Sequence, residues 1–131
     1  MSEQSPTVSP AAALDLAQLA LRLEHVNARL HAENVARFGA GSATQFGSNL
    51  EQAYAALQPA AGSPASARAL LSSATQDLQG FAGVREVPLP ADASLDDLLM
   101  AMTRTASRYQ SLADGVSRQL GLMQLAIRGA R

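Results

Sequence analysis

Cysteine, tryptophan and lysine are all absent from this 131-residue chain, so every one of its ten basic residues is an arginine. Without cysteine there is no disulfide, no thiolate zinc site and no thiol nucleophile. Aromatic residues are scarce too, three Phe and two Tyr, and much of the 47% apolar share is alanine. A core of Ala and Leu buries little area per residue, and each fully buried Leu contributes only about 1.5–3 kcal/mol. The isolated chain is therefore expected to be marginally stable. The net charge of −1 lacks the basic excess that phosphate neutralisation requires, which argues against nucleic acid as a main partner. No apolar run reaches the roughly 18 residues of a membrane span. The opening "MSEQSPTVSPAAALDL" has neither the basic start nor the apolar stretch of a Sec-type leader, and reads as a polar, disordered tail. The length fits one domain.

The strongest signals lie near the two ends. After Pro10, which suits a helix start, Leu16, Leu19, Leu23, Val26 and Leu30 recur at spacings of three and four, a coiled-coil-like seam. Leu14 and Leu21 widen the stripe. The pattern fades after Val35 and Phe38, and "GAGS" at Gly39–Ser42 stops the helix. At the other end Ser94 is a candidate N-cap, with Asp96 and Asp97 in the first turn where the helix dipole favours negative charge. Leu95, Leu98, Leu99, Met102, Ala106, Tyr109, Leu112, Val116, Leu120, Met123 and Ile127 follow as one stripe, with Gly129 as the C′ residue. Between these helices, Ser48-Asn49-Leu50-Glu51 has the form of a capping box ahead of "NLEQAYAALQ". "ARALLSSATQDLQGF" is one further short helix, and "GVREVPLPAD" is irregular with at most one short strand.

These readings predict an all-α fold: an elongated antiparallel pair of long terminal helices, coiled-coil-like, with a short, partly irregular middle segment and a disordered N-terminal tail. The expected boundaries are a tail over 1–10 and one helical domain over 11–131, divided into helix 11–38, middle 39–93 and helix 94–129. Leu14, Leu21, Leu99 and Leu122 fall outside a two-helix seam. Apolar residues left in rows point to further partners.

Catalytic constellations are missing from the sequence. His25 and His31 are not spaced as a metal pair on one helix face. The G-x-G of "FGAGSATQFG" has no preceding strand and no following Lys, so it is not read as a phosphate loop. Asp96 and Asp97 read as capping residues, and no Ser sits in a nucleophile elbow. The expectation is a non-enzyme with no metal and no cofactor. Arg104, Arg108 and Arg118 run along the polar side of the last helix, either as a solvated face or as inter-subunit contacts to acidic residues. Gly115 and Gly121 each cost up to about 1 kcal/mol against Ala inside a helix, which suits either close helix approach or a helix that stays loose until it assembles.

The C-terminal stretch "RYQSLADGVSRQLGLMQLAIRGAR" resembles that of the flagellar basal-body proximal rod protein family. That family shows an Asn-Ala-Leu-Arg-Tyr-Gln run, an amphipathic helix and a close such as Leu-Ala-Ile-Arg-Gly. Here Arg108, Tyr109 and Gln110 stand for the first, and Leu125 to Gly129 for the last. "AENVARFGAGSA" keeps Asn34, Val35 and Ala36 of the family's N-terminal motif but lacks its Thr-Pro-Gly-Tyr turn, a divergent feature; "FGSNLEQAYAAL" resembles its Asp-Phe-x-x-Ala-Leu stretch.

The resemblance implies a bacterial structural subunit exported by the flagellar type III apparatus, with residues 1–10 as the export region. It would polymerise through its terminal helices into the periplasmic rod of the basal body. Its partners would be copies of itself, other rod proteins and the export apparatus, with no nucleic acid and no membrane span of its own. The subunit-packing residues would be Leu16, Leu19, Leu23, Val26, Leu30, Leu98, Met102, Tyr109, Leu112, Val116, Leu120, Met123 and Ile127, with Arg104, Arg108 and Arg118 as polar contacts. Two alternatives remain at this point: an inner-rod or needle-type subunit of a virulence type III secretion system, and a cytoplasmic helical adaptor or chaperone.

Overall fold

The structure, a computed structural model, describes residues 10–129, apart from the side chains of Met123 and Ile127. The tail expected over residues 1–10 lies outside the described residues except for Pro10, which already belongs to the first helix. The elements are α1 (Pro10–Gly39), β1 (Thr44–Gly47), α2 (Leu50–Ala55), a 3₁₀ turn (Pro59–Gly62), α3 (Pro64–Gln76), α4 (Leu78–Phe81), β2 (Arg85–Pro88) and α5 (Leu95–Gly129). The protein is largely all-α, and two long helices dominate it: about 45 Å for α1 and about 52 Å for α5 at 1.5 Å per residue.

The two long helices pack against each other along their lengths. Their sense is antiparallel. Asn27 of α1 meets Thr105 of α5, the His25 ring lies 6.2 Å from that of Tyr109, and Pro10 shares a groove with residues from Gly115 to Ala126. The Ser94 cap forms as the sequence suggests, its Oγ accepting from the Asp97 amide at 3.2 Å.

The middle segment is more ordered than its sequence implies, and the α1 seam packs against it. Leu19 and Leu23 are fully buried with Ala53 of α2, Ala74 of α3 and Ala82, and Leu16 is buried with Ala60 and Ala67. Phe81, Leu70, Leu71 and Val84 close over the first cluster. The main apolar face of α1 therefore packs on the middle segment of its own chain, and the seam is not free for a second subunit. The alanines explain how such short elements suffice. Methyl side chains at Ala67 and Ala74 let α3 approach α1 closely, and the larger Leu side chains fill the space between them.

The single helix expected over 67–81 is interrupted at Asp77, whose carboxylate caps α4 by accepting from the Gly80 amide at 3.1 Å. The capping box also shifts by one residue. Asn49 is the N-cap of α2, accepting from the Gln52 amide, because the Ser48 hydroxyl donates instead to Asn27 Oδ1 at 3.3 Å.

The strands β1 and β2 pair antiparallel, with Gln45 opposite Val87 and Phe46 opposite Glu86. A two-stranded ribbon is marginal alone, and α1 supports this one. Asn34 donates to the Phe46 carbonyl at 2.9 Å and accepts from the Phe46 amide at 2.8 Å, which satisfies the β1 edge turned away from β2. The Arg37 guanidinium lies 4.6 Å over the Phe46 ring and bonds Glu86 at 2.9 Å.

Candidate assembly surface

Among the described side chains of α5, Thr105 alone is buried. Its hydroxyl accepts from Asn27 Nδ2 at 3.1 Å, and Asn27 in turn accepts from Ser48. This polar chain ties α5, α1 and the start of α2 together at one point. Leu98, Met102, Leu112 and Val116 flank it, half-buried. They form the seam of α5 with Thr105, at three-and-four spacing except where the exposed Tyr109 stands between Thr105 and Leu112.

The other packing residues divide. Leu16, Leu19, Leu23 and Leu30 are buried and Val26 half-buried, within the chain's own core. Tyr109 and Leu120, expected in the seam, are 40% and 43% exposed. The side chains of Met123 and Ile127 lie outside those described. Arg104, Arg108 and Arg118 are exposed. Leu95, Leu99, Met100, Leu122 and Leu125 of α5 are exposed as well, Leu122 and Leu125 by nearly two-thirds. The helical spacing already sets Leu99 and Leu122 outside the seam; it does not single out Met100 or Leu125.

One cleft of about 470 Å³ opens between α1, α2 and α5, lined by Glu24, Tyr54, Ser107, Arg108, Ser111 and Leu112. Glu24 is buried, and its Oε1 accepts a 2.6 Å hydrogen bond from the Tyr54 hydroxyl. Burial first, and then the Glu24 hydrogen bond and charge, push the Tyr54 phenol well above its ordinary value. His31 is displaced downward, mainly by burial and then by the Arg108 charge, with Glu24 opposing. The cleft brings together the Glu24 carboxyl, the Tyr54 phenol, the Arg108 guanidinium and the Ser107 and Ser111 hydroxyls. Among the described residues no group of three His, Asp or Glu converges on a metal-sized site, and no helix is long and apolar enough to cross a membrane.

One half of the molecule, α1 with the middle segment, has a closed core. The other, α5, rests on α1 along one side and presents both polar and large apolar residues to solvent on the rest. No protein-family model, curated protein or solved structure matches this chain.

Proposed function

We propose that the chain is a structural subunit of the bacterial flagellar basal-body rod, exported by the type III apparatus and polymerised in the periplasm. The observation that carries this reading is the exposed apolar set on α5: Leu95, Leu99, Met100, Leu120, Leu122 and Leu125. Side chains of this size, gathered toward the two ends of a helix about 50 Å long, form surfaces suited to protein contacts. They lie on the helix that carries the rod-type "RYQ" and "LAIRG" stretches. In this reading α5 is the polymerising element, while α1 serves as the scaffold that holds it straight. Contacts between unlike surfaces of successive copies do not close, and they generate a filament.

The test uses the source bacterium. Deletion of the gene should abolish swimming and leave basal bodies with rings and no rod. Leu122→Asp and Leu125→Asp should do the same while changing the stability of the monomer by no more than about 0.5 kcal/mol, because both positions are exposed. Normal swimming with intact rods in the deletion strain would overturn the proposal.

A further inference from the structure

The start of α5 carries a shallow groove of about 500 Å³, lined by Asp96, Leu99, Met100, Thr103 and Arg104. All five residues belong to the one helix and all are exposed, Met100 by 54%. The patch lies on the side of α5 turned away from Thr105, since Asp96 is about two and a half turns from that buried residue. The Thr103 hydroxyl already donates to the Leu99 carbonyl at 3.0 Å, so covering this face strands no donor there.

Within the patch, Asp96, Met100 and Arg104 stand at i, i+4 and i+8 and form one row along the helix. The acid and the base are equally far from Met100, one on each side. They lie about 12 Å apart along the axis, too far to pair with each other. Among the described residues neither enters an ion pair. The row has a symmetry of its own: turned end for end about Met100, an acid falls where a base stood. A surface of this kind is complementary to itself, which is what a two-fold contact requires.

We infer that this patch pairs with the same patch on a second copy of the chain, the two α5 helices antiparallel and crossing at Met100. Asp96 of each copy then faces Arg104 of the other, twice over. Met100 packs on its own counterpart, with Leu99 and Thr103 beside it, and the flexible thioether side chain suits a contact in which one residue must pack on itself. Other pairings of the patch are worse. A parallel pair in register sets Asp96 against Asp96 and Arg104 against Arg104. A parallel pair staggered by two turns joins one acid to one base and leaves the other two charges unmatched. An antiparallel pair slipped by one turn presses each Arg104 onto Met100. Five side chains of one helix cover well under the roughly 800 Å² per partner of a standard interface, so the dimer is weak and its charges set the register. The inference stands apart from the rod reading. A two-fold contact closes on itself and grows no filament, and this one uses none of Leu120, Leu122 and Leu125.

The experiment is sedimentation equilibrium of the purified full-length chain at low salt over a range of concentrations. Wild type should gain mass as concentration rises, and added salt should oppose the gain by screening the charges. Asp96→Arg and Arg104→Asp each set two like-charge pairs across the contact. Each should weaken association at least about tenfold, the equivalent of about 1.4 kcal/mol. The double variant carrying both changes restores both pairs and should associate like wild type. It keeps whatever Asp96→Arg does to the helix start, so its recovery reports the contact and not the fold. The chain has no cysteine, so Met100→Cys supplies a single thiol at the crossing point. Mild oxidation should link two such copies. Asp96→Cys should not link, because its two sulfur-bearing positions lie about 12 Å apart along the axis, beyond the roughly 7 Å reach of a disulfide.

A chain that stays monomeric at every concentration would overturn the inference. So would association indifferent to the single reversals, or a double variant no better than either. Linkage through Asp96→Cys in place of Met100→Cys would overturn it in favour of a parallel pair. The two readings fail separately. Dimers of this kind from a chain whose deletion leaves swimming intact remove the rod and keep the contact. Loss of swimming with a monomeric chain does the reverse.

Discussion

Asn34 is a single side chain on which the β1–β2 ribbon depends. It is 5% exposed and exchanges two hydrogen bonds with the backbone of Phe46, at 2.9 and 2.8 Å. Asn34→Ala removes both and leaves a backbone donor and acceptor half-buried without partners. A stranded group of this kind costs about 1–3 kcal/mol, and entry of water into the vacated space offsets part of it. The expected loss is about 2–3 kcal/mol for the pair. Unfolding entropy for a domain of this size is about 250 cal/mol/K, so Tm should fall by about 8–12 °C.

Asn34→Asp is the sharper version. The carboxylate still accepts from the Phe46 amide but faces the Phe46 carbonyl with no proton to donate. At neutral pH it should be at least as destabilising as the alanine. Its carboxyl pKa is raised in the folded state, so stability is retained below the unfolded aspartate value, about 3.9, and is lost as pH rises above it. Acid should therefore narrow the gap between this variant and wild type. Urea unfolding at two pH values measures both effects, and hydrogen exchange at the Phe46 amide reports the broken contact directly. An alanine loss below about 0.5 kcal/mol, or an aspartate variant equal to wild type at neutral pH, would refute the claim that α1 holds the ribbon.

Two further outcomes are expected of the purified chain. Gly41 and Gly83 both have positive φ, 78° and 69°, but a Cβ at Gly83 would lie 3.0 Å from the Asn49 Cβ while one at Gly41 meets nothing. Gly41→Ala should cost about 1–2 kcal/mol from backbone conformation alone, and Gly83→Ala distinctly more; equal losses by thermal unfolding would contradict the packing. Stability should also be bounded on both sides in pH. His31 is lowered from 6.5 when folded, so stability is complete above that value and falls as pH drops below it. Tyr54 is raised from 10.0, so stability is complete below that value and falls as pH rises past it. His31→Gln should flatten the acid limb and Tyr54→Phe the alkaline one, and unfolding midpoints that keep both slopes would count against these assignments.

Both terminal helices are legible in the sequence because three-and-four spacing, sustained over about four turns in the first and about eight in the last, is the period of a helix and of no strand or loop. Their contact partners are not. The seam Leu16, Leu19, Leu23 and Leu30 states that α1 has an apolar face, and any element of suitable length satisfies it. The buried polar residues escape for a specific reason: a seam traced through apolar residues alone passes over them. Asn27 lies between Leu23 and Leu30 at spacings of four and three, and Thr105 lies between Met102 and Tyr109 at three and four. Each holds a seam position, and each is buried because it meets the other. The signal is a polar residue in register with an apolar row. The ribbon leaves a fainter trace. Its strands are four residues long and about forty residues apart, and the group that fixes β1 belongs to a third element.

The polar pair at Asn27 and Thr105 also bears on assembly. A row of leucines alone would let α5 slide along α1 with little change in buried area. Displacing this pair leaves an amide and a hydroxyl buried without partners, at about 1–3 kcal/mol each, so the pair fixes the register of the two helices. Fixing it also holds the exposed apolar residues of α5 in one arrangement relative to α1. Beyond Val116, Leu120, Leu122 and Leu125 lie exposed among the described side chains, and Gly121 weakens the helix. On the rod-subunit reading, the last turns of α5 are the part that a neighbouring copy would stabilise through these exposed leucines.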